Sequence, residues 1–132
     1  MWFRRLPNKV KLIIAGSRSF TDYDFLCKQV DWYIQDKDIA AIISGGANGA
    51  DSLGEKYSKE KNIPFELFAA EWDKYGKSAG YIRNQDMAEN GDYLIVFWDG
   101  SSRGTQNMIE ISQKSNTIKE VVIYRYKKNN DI

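Results

Sequence analysis

The chain has 132 residues, 42% hydrophobic and 28% charged, which suits one soluble domain with a real core and excludes a disordered chain. The formal net charge is +1, so a nucleic-acid role would need a local basic patch. Histidine is absent and Cys27 is the single cysteine, which removes Ser-His-Asp and Cys-His catalysis, an intrachain disulfide and a CxxC zinc site; no metal and no cofactor are expected.

The first residues, MWFRRLPNKVKLIIAG, are basic, but their apolar run covers only residues 12–15. That is too short for a signal-peptide core or a membrane span, so a cytoplasmic protein with no membrane partner is expected. Trp2 and Phe3 are expected to cover a core edge or a subunit interface. Residues 11–15 (KLIIA) predict a buried strand. Residues 24–35 predict a helix with Phe25, Leu26, Val30, Tyr33 and Ile34 at near-helical spacing, and Cys27 among them reads as a buried structural thiol. Residues 40–44 (AAIIS) predict a second strand. Residues 50–61 predict a helix with Leu53 and Tyr57 on one face, stopped by Pro64. Residues 65–68 (FELF) read as a third strand and residues 79–89 as a helix. Tyr93–Trp98 (YLIVFW) is the most apolar strand. A helix over residues 105–115 presents Met108, Ile109 and Ile111 to the core, and residues 121–126 (VVIYRY) close the fold. The final KKNNDI reads as a frayed polar tail.

Strand and helix alternate, and the strands are apolar throughout rather than every second residue. Both features call for a parallel sheet covered on both faces: one doubly wound α/β domain over residues 1–132, with about five strands. Such a sheet binds ligands beyond the carboxyl ends of its strands, near the point where strand order reverses. Residues 16–22 (GSRSFTD), 45–51 (GGANGAD), 69–80 (AAEWDKYGKSAG) and 99–104 (DGSSRG) therefore share one mouth.

In the first loop, Gly16 permits a tight turn, Ser17 can donate, and Arg18 offers a planar fork to phosphate. A plain turn leading to an N-cap at Thr21 or Asp22 fits the same residues. In the second, Ser44, Gly45, Gly46, Asn48 and Gly49 form a candidate anion cradle at a helix N-terminus. It is neither a Walker A loop nor a strict GxGxxG fingerprint. Asp51 either caps that helix or accepts from a ribose hydroxyl. The third loop is longer than a connection needs, and Trp72 and Tyr75 suit either base stacking or packing. Arg83 and Asn84 follow in the first turns of a helix facing the mouth, where Arg83 meets a phosphate or ribose, or else pairs with Asp86 or Glu89. In the fourth, Gly100, Ser101, Ser102, Gly104 and Thr105 form a second anion cradle, with a helix from about Thr105, and Asp99 beside them is a further candidate ligand contact. Two cradles side by side suit a ligand with phosphate and sugar groups.

Across IIAGSRSF, ISGGANGAD, AGYIRNQDM and DGSSRGTQNMI, nearly the whole chain resembles the SLOG superfamily of Smf/DprA and Lonely guy proteins. It is most similar to the small stand-alone SLOG proteins of bacteria and phages, of the YspA and YpsA types. The resemblance implies a Rossmann-like, nucleotide-binding, homo-oligomeric protein. Lonely guy enzymes remove the base from nucleoside 5′-monophosphates, using an Arg-Lys pair, a Met four residues after that Arg, and a PGGxGTxxE turn. Arg83, Met87, Asp92, Gly104 and Thr105 match that pattern; Asn84 replaces the Lys, and DGSSR replaces Pro-Gly-Gly. Where the Glu should follow, the chain reads Gln106, Asn107, Met108, and Glu110 comes too late along the helix.

Cutting an N-glycosidic bond passes through an oxocarbenium-like state that needs a nearby carboxylate. Asp51, Asp73 and Asp99 remain at the mouth, but holding is favoured over cutting. The leading expectation is a sensor or sequestering protein for a nucleotide-derived small molecule, with an ADP-ribose-like, NAD-derived or cyclic signal suggested by the resemblance. The alternatives are a nucleoside 5′-monophosphate phosphoribohydrolase using Asp99, and a DprA-like single-stranded DNA binder using Lys74, Lys77, Arg83 and Arg103. No nucleic-acid partner is expected, given the near-neutral charge.

Overall fold

A computed structural model describes residues 9–128 of the chain; the expectations for Trp2, Phe3 and the last residues of the tail lie outside them. Five parallel strands form one sheet in the order β3-β2-β1-β4-β5. They are β1 (Val10–Gly16), β2 (Ile39–Ser44), β3 (Phe65–Leu67), β4 (Tyr93–Trp98) and β5 (Glu120–Arg125). The helices between them are α1 (Tyr23–Ile34), α2 (Ala50–Glu60), α3 (Trp72–Tyr75), α4 (Ala79–Asn90) and α5 (Arg103–Lys114). The fold is α/β and Rossmann-like.

The alternating side-chain directions of β1 explain the two faces. Leu12 and Ile14 point into a core with Leu26, Val30, Ala50 and Tyr57 of α1 and α2. Ile13 and Ala15 point the other way, to Met87, Ala88, Met108 and Ile109 of α4 and α5. Leu12, Ile13 and Ile14 are all fully buried. Full burial of each such side chain contributes about 1.5–3 kcal/mol, which places β1 at the centre of the sheet. A continuous apolar strand is thus the signature of two cores, not one.

The expected elements are all present, with ends shifted by one or two residues. Asp22 caps α1, its carboxylate accepting from the Phe25 N–H at 3.0 Å. Helix α2 stops at Asn62, which takes a left-handed conformation (φ 56°), two residues before Pro64. Helix α5 begins at Arg103 rather than Thr105, because Ser102 is its cap and accepts from the Thr105 N–H at 3.4 Å. The stretch expected as a long loop holds α3 and a 3₁₀ turn at Gly76–Ser78. Its first turn closes when the Glu71 carbonyl accepts from Lys74 at 3.1 Å and Tyr75 at 3.0 Å. Four residues are too few to show a helical period. Cys27 is only half-buried at the edge of the α1/α2 core, not the sealed thiol expected. No helix among the described residues is long and apolar enough to cross a membrane.

Helix α2 packs close to the sheet because Gly54 faces Ile14. A Cβ at Gly54 would lie 3.0 Å from both the Cβ and the Cγ2 of Ile14. Gly54→Leu is expected to destabilise the fold by about 1–3 kcal/mol through overpacking. Urea unfolding checks this, and an unchanged midpoint would mean that the contact has room to relax.

Candidate functional site

Strand order reverses between β1 and β4, because the chain leaves β1 toward β2 and β3 and then crosses back to β4. Beyond the carboxyl ends of these strands lies a cavity of about 490 Å³. This is where an open parallel sheet leaves a crevice.

The β1–α1 loop forms one wall. Gly16 has no room for a side chain: a Cβ would sit 2.2 Å from the Phe97 carbonyl oxygen. Ser17 is buried and binds in three directions. Its N–H donates to the Phe97 carbonyl at 2.9 Å, its carbonyl accepts from Ala50 at 3.3 Å, and its hydroxyl accepts from the Asp99 N–H at 3.0 Å. Ser17 therefore fixes the mouth, while its exposed neighbour Arg18 lines the cavity.

The β2–α2 loop is drawn onto this knot. Gly49 adopts φ 81°, and a Cβ there would meet the Ser17 carbonyl oxygen at 2.3 Å. Ser44 is buried; its hydroxyl donates to the Asp51 carbonyl at 2.9 Å and receives the Gly46 N–H at 3.4 Å. Asp51 is 5% exposed and lines the cavity. It is not the helix cap, which falls at Gly49; its carboxylate instead accepts from the Ala47 N–H at 3.2 Å. Burial pushes the Asp51 carboxyl up to about 6, against the pull of the Ala47 hydrogen bond and the positive charge of Arg83. Asn48 is exposed and outside the cavity lining. Gly45 and Gly46 border a second recess of about 230 Å³.

Arg83 reaches across from α4. Its Nη1 donates to the Gly45 carbonyl at 2.6 Å and its Nε to Asn84 Oδ1 at 3.1 Å. It makes no ion pair with Asp86 or Glu89 among the described residues. Burial lowers its pKa from the ordinary guanidinium value; Asp51 opposes that shift and Arg18 adds to it. Asn84 in turn donates to the Gly104 carbonyl at 3.2 Å and to Asn107 Oδ1 at 2.9 Å. A chain of hydrogen bonds thus runs from the β2–α2 loop through α4 to α5.

The β4–α5 loop closes the circle. Asp99 Oδ1 accepts from the N–H groups of Ser101 and Ser102, both at 2.9 Å. Partial burial pulls its carboxyl upward, but these bonds, with the Ser17 and Ser101 hydroxyls, outweigh burial and hold it below the usual carboxylate range. Gly100 turns away at φ 87° and packs against the Arg125 guanidinium. Ser102, Gly104 and Thr105 line the cavity. Gln106 is exposed, Asn107 is held by Asn84, and Met108 is a buried part of the lining. Glu110 is exposed and accepts from Gln106 at 3.0 Å, so α5 sends no carboxylate to the cavity. Asp92 lies at the other end of the sheet, where its carboxylate accepts from the Lys11 N–H at 2.8 Å.

Trp72, 53% exposed, borders both recesses, whereas Tyr75 and Asp73 fall outside them. Of the four residues of the expected basic strip, Lys77 and Arg83 line the cavity, while Lys74, 3.9 Å from Glu71, and Arg103 lie outside it. Sequence reasoning missed Ser19, Tyr81 and Lys128 in the lining, and named Lys77 only for a nucleic-acid strip. Tyr81 was findable: once α4 starts at Ala79, Tyr81 sits one turn before Asn84 on the same face.

The model of the YspA, cpYpsA-related SLOG family matches residues 10–75. The chain belongs to this family. The matched part spans the Gly16–Arg18 and Gly45–Asp51 loops; Arg83 and Asp99 lie beyond it. Among curated proteins, the chain is 30% identical over 115 residues to the Gene 61 protein of Mycobacterium phage D29, an alignment covering 80% of this chain and 90% of that one. It is 27% identical over 104 residues to a protein named cholesterol galactosyltransferase from Borreliella burgdorferi. That match covers 78% of this chain but only 28% of the relative. No solved structure matches the chain.

Asp51 gives a pH signature. In the unfolded chain its carboxyl returns to the ordinary value of 3.8, so between there and about 6 the folded chain keeps a proton that the unfolded chain has lost. Stability therefore falls as pH rises through this window. Asp51→Asn, whose amide oxygen still accepts from Ala47, should remove that fall and leave the protein more stable than wild type above pH 6, by roughly 1–3 kcal/mol. Denaturant unfolding across pH 4–7 checks it, and parallel pH profiles for the two proteins would refute it.

Proposed function

We propose that the cavity binds a nucleotide-derived small molecule and holds it without cleaving it, as a sensor or a sequestering protein. The observation that carries this reading is the Arg83 guanidinium, fixed by Gly45 and Asn84 at the cavity wall with donors to spare. Arg18 stands on the same wall and makes no ion pair among the described residues. Neither guanidinium makes a salt bridge among the described residues, although the Asp51 carboxylate lies near enough to feel both charges, and their free N–H groups are suited to phosphate oxygens. Trp72 offers a face for stacking. The absence of a carboxylate from α5 in the lining supports holding over cutting.

A second reading has one specific observation in its favour. Asp51 lines the cavity with its carboxyl raised to about 6, a value fit for proton transfer near neutral pH. If this site cuts a nucleoside 5′-monophosphate, Asp51 is a better candidate than Asp99, whose Oδ1 is already occupied by two backbone N–H groups. The galactosyltransferase-named relative adds nucleotide-linked sugars to the compounds worth testing. Self-association, which the family resemblance implies, belongs to the same proposal; light scattering tests it.

The deciding experiment incubates the protein with AMP, ATP, NAD, ADP-ribose, UDP-galactose and cyclic nucleotides. Melting temperature reports binding, and mass spectrometry reports whether each compound survives. The expected result is a raised Tm with intact ligand, and a Kd more than tenfold weaker in Arg83→Ala. Unchanged affinity in that variant would sink the assignment of Arg83. Free base released at catalytic turnover, and lost in Asp51→Asn, would replace holding with cutting.

A further inference from the structure

The segment of residues 69–78 joins β3 to α4 and rests on almost nothing. Residues 71–78 are exposed without exception. The last fixed point before them is the half-buried Phe68, whose N–H donates to the Ser44 carbonyl at 2.9 Å. The first fixed point after them is the buried Ala79. Between the two, Lys74 and Tyr75 donate to the Glu71 carbonyl and Gly76 to that of Trp72. Among the described residues, no hydrogen bond ties residues 69–77 to the sheet or to a helix other than α4.

Two large aromatics stand on this unsupported segment. Trp72 is 53% exposed and Tyr75 is 40% exposed. Exposed apolar groups of this size mark a surface that is covered in another state or by another molecule. Trp72 already faces a place to be covered, because it borders both recesses. A hinge is present as well. Gly76 takes φ 57°, and a Cβ there would meet nothing. Glycine is needed at Gly49 to clear the Ser17 carbonyl, whereas at Gly76 it serves only the turn, so the backbone there changes without a clash.

The charges of the lining govern where this segment rests. Arg18, Lys77, Arg83 and Lys128 supply positive charge, and Asp51 and Asp99 supply negative. Four cations against two carboxylates leave the walls net positive. The carboxylates are also engaged, Asp51 with the Ala47 N–H and Asp99 with those of Ser101 and Ser102. Lys77 is exposed and makes no ion pair among the described residues. The other charged groups of the segment, Glu71, Asp73 and Lys74, lie outside the lining. Moving the segment inward therefore brings Lys77 toward like charge on Arg18 and Arg83. An anion in the cavity reverses that sign. It has donors waiting: the free N–H groups of both arginines, and the backbone N–H groups of Gly45 and Gly104, which have no partner among the described residues.

We propose that residues 69–78 are a lid operated by an anion. In the empty protein, Lys77 is held off by Arg18 and Arg83 and the lid stands open. With an anion on the arginines, Lys77 and Trp72 move in and cover it. This rests on the reading of the cavity as a site for a phosphate-bearing ligand and adds a closing step to it. Closure slows dissociation, which is what a holding protein requires.

Spin labels on Thr21→Cys and Lys74→Cys, in a Cys27→Ser background, report the distance from the lid to the β1–α1 loop that carries Arg18. Both labelled positions are exposed and outside the lining. Inorganic pyrophosphate and the nucleotides named above serve as probes in low-salt buffer, where exposed charges act at longest range. Calorimetry shows which of them bind. With a bound probe the distance should shorten by more than about 2 Å. Amide exchange of residues 71–78 in the unlabelled wild-type chain should slow by about fivefold or more. Lys77→Glu reverses the charge at the lid, so the distance should already be short without an anion and should lengthen when pyrophosphate is added. A probe that binds while distance and exchange stay unchanged would overturn the lid and leave the ligand reading standing. A distance in Lys77→Glu that matches the parent in both states would overturn control by the anion's charge. Binding of none of the probes would overturn both the lid and the ligand reading.

Discussion

The mouth of this sheet depends on how closely three backbones meet at Gly16 and Ser17. Strand β1 ends against the Phe97 carbonyl of β4, and a side chain at Gly16 would collide with it. Ser17 then spends its N–H, carbonyl and hydroxyl on β4, the start of α2 and the β4–α5 loop. Gly49 is required because the α2 loop must pass over the Ser17 carbonyl. These are buried polar groups, so each unmade bond would cost roughly 1–3 kcal/mol. The loops that form the cavity wall are therefore held by the same interactions that complete the fold. The backbone from which Arg18 projects is set by this knot, and Arg83 is held at its guanidinium as well.

The carboxylates of Asp51 and Asp99 change what such a mouth can do. Glycine-rich turns opening helices usually present free N–H groups to an anion. Here a carboxylate of the chain already holds some of those N–H groups, at Ala47 in one turn and at Ser101 and Ser102 in the other. Asp51 holds the β2–α2 turn from the inside while nearly buried, and Asp99 holds the β4–α5 turn from a more open position. Their environments push their pKa values apart, Asp51 upward and Asp99 downward. The positive charge in the lining comes from Arg18 and Arg83 together with Lys77 and Lys128. Arg83 holds its place because its Nη1 donates to the Gly45 carbonyl and its Nε to Asn84.

The fold was legible because its signals are strong and local. Apolar runs such as residues 12–14 have no polar face, and only a sheet covered on both sides accommodates them. The position of the four loops followed from the parallel sheet. Arg18, Asp51, Trp72, Arg83, Asn84, Asp99, Ser102, Gly104 and Thr105 do line the cavity. Long-range hydrogen bonds were not legible. Nothing in GGANGAD announces that Asp51 turns back to Ala47, or that Gly49 is glycine to clear the Ser17 carbonyl, 32 positions earlier in the chain. Asn48 and Gly100 carried the same local signal as their neighbours, yet they fall outside the lining. Composition marks a loop as functional more readily than it says which of its residues face inward.

The departures from the Lonely guy pattern are not scattered. Asn84 stands where that pattern has a Lys, and its amide donates to Asn107, in the stretch where a Glu was expected. Two neutral amides in contact satisfy each other without a net charge. A carboxylate at Asn107 would instead bring a charge to the half-buried end of the chain of bonds that positions Arg83. Asn84 also donates to the Gly104 carbonyl, tying α4 to the first turn of α5. The pair thus carries a structural role that an ion pair could also fill, and it does so without adding a carboxylate from α5 to those of Asp51 and Asp99 in the lining. That arrangement keeps Arg83 at the cavity wall and brings no charged group from α5 to the lining, and the proposal of holding over cutting rests in part on it.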